Sequence, residues 1–308
     1  MSTVGSGTRA ERIAALAFDY DAQPKIGVRQ CNLCGGSEFV GLVHRDRYGY
    51  RAAAVCCSGC GLVFLDPVMT PEAYGTFYES TYRPLVSAYH GRLIDARTVQ
   101  QEQREYAVER GHLLEPLVAG RGYRTILDIG GSTGVVAHEF AQRFNLRATV
   151  VDPSPLETAQ AQALGLETIE GLVEHVDLAE RRFDIVMLCQ TVDHLLDISG
   201  TLRRIRDLLR AEGVLFLDIV DLRAAYLRNW SIEEAIKIDH PYYLTEATTT
   251  AYLRRTGFEV IRVDYAGDHL HISYVGRPSR PDATALPSQE SVRELLREVR
   301  FLQNAPHP

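Results

Sequence analysis

The chain has 308 residues, longer than one average domain, so a large domain with a smaller module is expected. Its 45% hydrophobic content suffices for a real core, and a net charge of −7 speaks against nucleic acid or another polyanion as the main partner. No run approaches the roughly 18 uncharged apolar residues of a membrane span. The opening "MSTVGSGTRAERIAALAFDY" has acidic residues and no cleavable apolar segment, so a cytoplasmic protein with no membrane partner is expected.

After an N-terminal helical extension (1–25) comes a small module over 26–70. It carries Cys31-x-x-Cys34, 22 intervening residues, and Cys57-x-x-Cys60. Two such knuckles present four thiolates to one tetrahedral ion, which reads as a structural zinc ribbon with Cys31, Cys34, Cys57 and Cys60 as ligands. Four soft ligands leave no open position, so the Zn²⁺ contributes folding energy rather than chemistry. Cys56 is surplus, and Cys189 in "FDIVMLCQ" reads as core. The ribbon sets four arginines against three carboxylates, too little charge to bind phosphates.

Residues 71–115 form a tyrosine-rich helical lid in which Tyr74, Tyr78 and Tyr82 fall at helical spacing. From there to 278 apolar runs of strand length alternate with helical segments, as in successive β-α units. The first, "RTILDIGGSTGVVAHEFAQRF", reads as a strand ending at Asp128, a glycine turn, and a helix starting near Gly134. "RATVVDPSP", "LETIEG", "FDIVMLCQTVDHLLD" and, after the helix "TLRRIRDLLRAEG", "VLFLDIVD" supply further strands. A helix and two strands follow, "TTTAYLRRTGFEVIRVDYAG" and "DHLHISYVGRP", the strands forming an antiparallel pair. A tail (279–308) ends in a helix with Val292, Leu295, Leu296, Val299 and Leu302 on one stripe, able to dock on the chain or to pair subunits as a homodimer.

A dinucleotide fingerprint would need glycines at 130, 132 and 135, where the chain has Gly130, Ser132 and Val135. The turn "DIGGSTG" instead resembles the first motif of class I S-adenosylmethionine methyltransferases. That resemblance implies an α/β, Rossmann-like, seven-stranded fold beside the zinc ribbon, with S-adenosylmethionine as cofactor. It places Asp128, Gly130, Gly131, Ser132 and Gly134 at the cofactor, Asp152 and Pro153 at its ribose, Leu172 near its adenine and Gln190 at its edge. Asp193 and His194 match the family's fourth motif.

The ribbon, the tyrosines and this core together resemble the zinc-containing methyltransferases of deoxysugar and surface-glycan pathways. In "AIKIDHPYYLTEAT" Asp239 and His240 correspond loosely to a Glu-His pair whose histidine is the catalytic base. The resemblance therefore implies His240 as base, oriented by Asp239 or another carboxylate, with His194 as the alternative, and substrate contacts at Tyr78, Tyr82, Tyr242 and Tyr243. The large C-terminal domain of the sugar C-methyltransferases has no counterpart here, which favours methylation of a hydroxyl on a sugar or nucleotide-sugar over C-methylation of a ketosugar. A ribosomal-RNA methyltransferase would bring a basic ribbon and an aromatic-proline tetrad, and the sequence has neither. His269 and His271 alternate as on the polar face of a strand.

Overall fold

The computed structural model describes residues 7–178 and 180–305. Its N-terminal third contains α1 (Arg9–Ala14), β1 (Lys25–Ile26), β2 (Phe39–Val43), β3 (Ala54–Cys57), β4 (Val63–Leu65), β5 (Val68–Met69), α2 (Pro71–Ser80), α3 (Tyr82–His90) and α4 (Ala96–Val118). The middle contains β6 (Thr125–Ile129), α5 (Val135–Phe144), β7 (Arg147–Asp152), α6 (Pro155–Ala163), β8 (Glu167–Glu170), β9 (Phe183–Leu188), α7 (Ile198–Leu208) and β10 (Leu209–Val220). Then follow α8 (Leu222–Asn229), β11 (Tyr242–Tyr243), α9 (Glu246–Thr256), β12 (Phe258–Tyr265), β13 (His271–Pro278) and α10 (Gln289–Asn304).

The chain forms two compact units, each assembled from three stretches: Met1–Phe18, Gly75–Cys189 and Asp207–Phe216 in one, Asp19–Tyr74, Gln190–Arg206 and Leu217–Pro308 in the other. Strand β10 contributes its first part to the first unit and its last part to the second, in a sheet ordered β12-β13-β10-β9-β6-β7-β8.

In the first unit β6 pairs in parallel with β7 and β9, and β7 with β8, so the acidic ends of β6 and β7 point the same way. Strands β6 and β9 are almost wholly buried, as expected of a parallel sheet. Helix α5 presents Val136, Ala137, Phe140 and Ala141 inward, with Phe140 edge-on to Phe216. Strand β10 starts earlier than the sequence suggests: "LRAEG" is strand rather than helix end, and the Asp184 carbonyl lies so close to Gly213 that a Cβ there would stand 2.9 Å away. Where the tyrosines suggest one helix, the chain breaks at Thr81, and Tyr82 opens α3.

In the second unit β12 and β13 form the expected antiparallel pair. The cysteine module is a four-stranded antiparallel sheet in the order β11-β4-β3-β2. Its fourth strand comes from far along the chain: Tyr242 pairs with Phe64 and Tyr243 with Val63. Helix α10 docks its stripe on the same unit, burying Val292, Leu295, Val299 and Leu302. Gln289 donates to the Gly59 carbonyl, and Arg223 with Tyr226 of α8 engages Glu298.

Candidate active site

At the first glycine turn, Asp128 ends up fully buried with neither carboxylate oxygen hydrogen-bonded. Burial first, then the Asp152 carboxylate, push its pKa well above the ordinary range. A Cβ on Gly131 would stand 2.5 Å from Asp128 Oδ2, so only glycine leaves that carboxylate its space. Gly134 adopts φ +75°, and a Cβ there would meet the Leu166 and Ala161 side chains at 2.6 and 2.8 Å. Asp152, at the end of β7, accepts from the Ser132 and Ser154 amides at 2.9 Å each. Burial first, then Glu157, raise it to about 7.

This set of unpaired carboxylate, glycine backbone and strand-end acid fits a cofactor carrying an amino group and ribose hydroxyls. Pro153 and Leu172 are half-buried at the ends of β7 and β8. Two residues are new here: Arg83 of α3 pairs with buried Glu157 at 2.5 Å and reaches Ser132 Oγ, while Ser132 Oγ donates to Glu157. Nothing local in the sequence marks that pairing, since Arg83 and Glu157 lie on separate helices. Tyr78 and Tyr82 are half-buried in an aromatic cluster with Phe77 and Phe18, their rings 5.3 Å apart.

In the second unit the four cysteines converge. Cys31 and Cys60 sulfurs are 3.5 Å apart, as are those of Cys34 and Cys57, and all four lie within 4.8 Å of one another without disulfides. The Gly36 amide donates to Cys34 Sγ. Such a donor set fits one tetrahedral Zn²⁺. Cys56 is buried outside the cluster, its thiol pushed up to about 12 by burial, and Cys189 is half-buried.

The sheet closed by these cysteines holds the loop that carries His240. Besides the β4–β11 pairing, Leu65 donates to the Pro241 carbonyl and Arg47 to that of Ile236, each from its amide. The Ile238 amide donates to Asp46, and the Tyr74 hydroxyl to the Ile238 carbonyl. Asp46 also accepts from the Tyr48 and Tyr50 amides, and burial raises it to about 7.

On this loop His240 Nδ1 lies 2.8 Å from Asp193 Oδ2, and its Nε2 lies 3.3 Å from Asp239 Oδ2. His194 packs edge-on against His240, ring centroids 4.3 Å apart. The orienting carboxylate expected at Asp239 is thus joined by Asp193, 47 positions away, from the 3-10 turn Val192–His194. Tyr48 donates to Asp239 Oδ1, and Lys237 Nζ lies 4.0 Å from Oδ2. Burial alone would raise both carboxylates, yet His240, His194 and Lys237 leave Asp193 and Asp239 well below the ordinary range. Burial, then the His240 ring, lower His194 to about 4, so it is neutral at neutral pH.

The remaining sequence candidates take structural positions. Tyr242 donates to the Leu196 carbonyl, and Tyr243, buried, bridges the Lys237 amide and carbonyl. Gln190 adopts φ +54° and places Nε2 3.2 Å from His271 Nε2. His271 starts β13, but His269 lies in the preceding turn at φ +58°, not on the strand.

The mostly parallel sheet with its glycine turn defines an α/β Rossmann-like methyltransferase fold. Residues 99–263 match the family described as "Methyltransferase domain", and the chain belongs to that family. A ubiquinone biosynthesis O-methyltransferase of Azorhizobium caulinodans is 26% identical over 166 residues, covering 49% of this chain and 64% of that protein. One from Rhodopseudomonas palustris is 29% identical over 111 residues, covering 34% and 41%. The chain thus spans less than two thirds of either relative. Among solved structures, a Burkholderia thailandensis 1,6-didemethyltoxoflavin-N1-methyltransferase, seen with S-adenosylhomocysteine, matches 71% of this chain and 96% of its own at 19% identity and a TM-score of 0.51, a likeness of fold.

Proposed function

We propose that the chain transfers the methyl group of S-adenosylmethionine to a hydroxyl of a small molecule, a sugar or nucleotide-sugar. The observation that carries the cofactor is Asp128, buried with both oxygens unpaired beside a glycine that admits no side chain. Asp128 would take the methionine end, Asp152 the ribose hydroxyls, and the Gly130–Gly134 backbone would allow close approach. When bound, the cofactor supplies a methyl group on a sulfonium, an electrophile for in-line displacement.

The chain's own part is the proton. With Nδ1–H donated to Asp193, His240 keeps its Nε2 lone pair for the acceptor hydroxyl, and Asp239 beside Nε2 stabilises the proton once it arrives. The acidic chain and the tyrosines support a sugar over a polyanion. A phenolic hydroxyl is the second reading, favoured by the ubiquinone O-methyltransferases among the relatives.

Cys31, Cys34, Cys57 and Cys60 would hold one structural Zn²⁺. Its role in this reading is positional: the ribbon it closes supplies β4, and β4 holds the His240 loop. Methyl transfer from labelled S-adenosylmethionine to a panel of nucleotide-sugars, glycosides and catechols tests the reading. Turnover on glycosyl hydroxyls supports the sugar, turnover on catechols alone moves the acceptor to a phenol, and no turnover on either, with no S-adenosylhomocysteine binding, overturns it.

A further inference from the structure

We infer that Asp193, His194 and His240 form a second, divalent transition-metal site, separate from the four cysteines. Each offers one donor atom, and the three lie within 4.8 Å of one another. Asp193 and His240 are each only 5% exposed. A buried carboxylate oxygen normally has a partner, yet Asp193 Oδ1 has none.

The second carboxylate at His240 points the same way. A neutral imidazole has one N–H, so hydrogen bonds alone let it serve only one of the two flanking carboxylates. With a cation on Nδ1 and on Asp193, the remaining N–H sits on Nε2, 3.3 Å from Asp239 Oδ2. That is the carboxylate–histidine–metal arrangement in which an outer carboxylate fixes the ring and makes it a better ligand. Tyr48 in turn holds the other oxygen of Asp239.

Two imidazoles and one carboxylate select Zn²⁺, Co²⁺, Mn²⁺ or Fe²⁺ over Mg²⁺ and Ca²⁺, which prefer all-oxygen sets. Three protein ligands also leave coordination positions open, so the bound ion can accept an oxygen of a small molecule, as catalytic sites do and the four-cysteine site cannot. The inference draws on the same cluster as the proton-accepting role proposed above and is an alternative state of it: a cation on Nδ1 and Asp193 takes the place of the hydrogen bond between them, and the hydrogen then on Nε2 leaves His240 no lone pair for a proton.

The test is isothermal titration of the full chain with Co²⁺ and with Zn²⁺, after its resident metal has been counted by elemental analysis. The expected result is one further equivalent, with cobalt giving ligand-field bands and no added thiolate-to-cobalt charge transfer. His194→Gln and Asp193→Asn should each abolish that equivalent. Asp239→Asn should weaken it about 10- to 100-fold. A cooperative urea unfolding transition shows that each variant is folded.

A chain that takes up no further metal, or whose further metal survives both His194→Gln and Asp193→Asn, overturns the inference. Failure of the proton-accepting role reads differently: His240→Asn would then transfer methyl groups as fast as the parent chain, whatever the metal count.

Discussion

The two units bury acidic side chains in opposite ways. Asp128 and Asp152 lie beside a glycine turn, Asp128 without a hydrogen bond and Asp152 held by two backbone amides, and burial, helped by the neighbouring carboxylates Asp152 and Glu157, drives both pKa values up. Asp193 and Asp239 are as deeply buried, but His240 lies against both and Lys237 near Asp239, and both values go down. Burial alone therefore does not decide what a carboxylate does; the groups packed against it do. A carboxylate left unpaired suits capture of a ligand's own cation and hydroxyls, whereas one already paired suits holding a histidine in one tautomer.

The sharpest way to break the contrast is to remove His240. His240→Asn strands two buried carboxylates, so kcat should fall by about 10²- to 10⁴-fold, and urea unfolding should register a loss on the order of 3 kcal/mol. Affinity for S-adenosylhomocysteine should hold, because Asp128 and Asp152, the proposed cofactor carboxylates, belong to the other unit. Cys57→Ser acts on the same histidine through the ribbon: zinc content should fall by one per chain, and a displaced loop should lower kcat by about a hundredfold. A zinc-loaded, equally active Cys57→Ser chain would separate the ribbon from catalysis.

The unpaired pair should respond in the opposite sense. Asp128→Asn replaces a carboxyl that burial already favours in its neutral form, so unfolding free energy should hold steady or rise. S-adenosylhomocysteine affinity should nevertheless drop about tenfold, the effect of losing one charge-assisted hydrogen bond.

The smallest effect concerns Asp152. Its folded value of about 7 lies above the model-peptide value of 3.8, so from pH 4 to 7 the folded chain keeps a proton that the unfolded chain has lost. This group therefore removes stability as pH rises through that window. Ribose hydroxyls donate best to the ionised form, so cofactor affinity should rise as pH passes through 7. Titrations at pH 7 in buffers of different ionisation enthalpy should show a fraction of a proton released on binding.

The turn from Asp128 to Gly134 was legible because its demands are local: an acidic strand end, glycine where a Cβ would strike the carboxylate, and glycine at positive φ. The β12–β13 pair and the cysteine convergence were legible for the same reason, since strand alternation and knuckle spacing lie within short stretches. The Asp193–His240 pair was not, although Asp193 and His194 stood out as a motif, because a hydrogen bond across 47 residues leaves no periodic trace. The two-residue strand Tyr242–Tyr243 carries no alternation either, so its addition to the ribbon, the feature that ties the cysteines to His240, appears only in three dimensions. Helix α10 showed its stripe in the sequence, and the structure adds what covers it: Gly61 faces Val292 so closely that a Cβ would stand 3.3 Å from Cγ2.

The most direct test compares the parent chain with His240→Asn in two assays run together, S-adenosylhomocysteine binding and methyl transfer to the acceptor panel. The account predicts equal binding by both chains and transfer by the parent alone, with the variant slower by about a hundredfold or more. A parent chain that does not bind S-adenosylhomocysteine, or a variant that transfers methyl groups as fast as the parent, would contradict it.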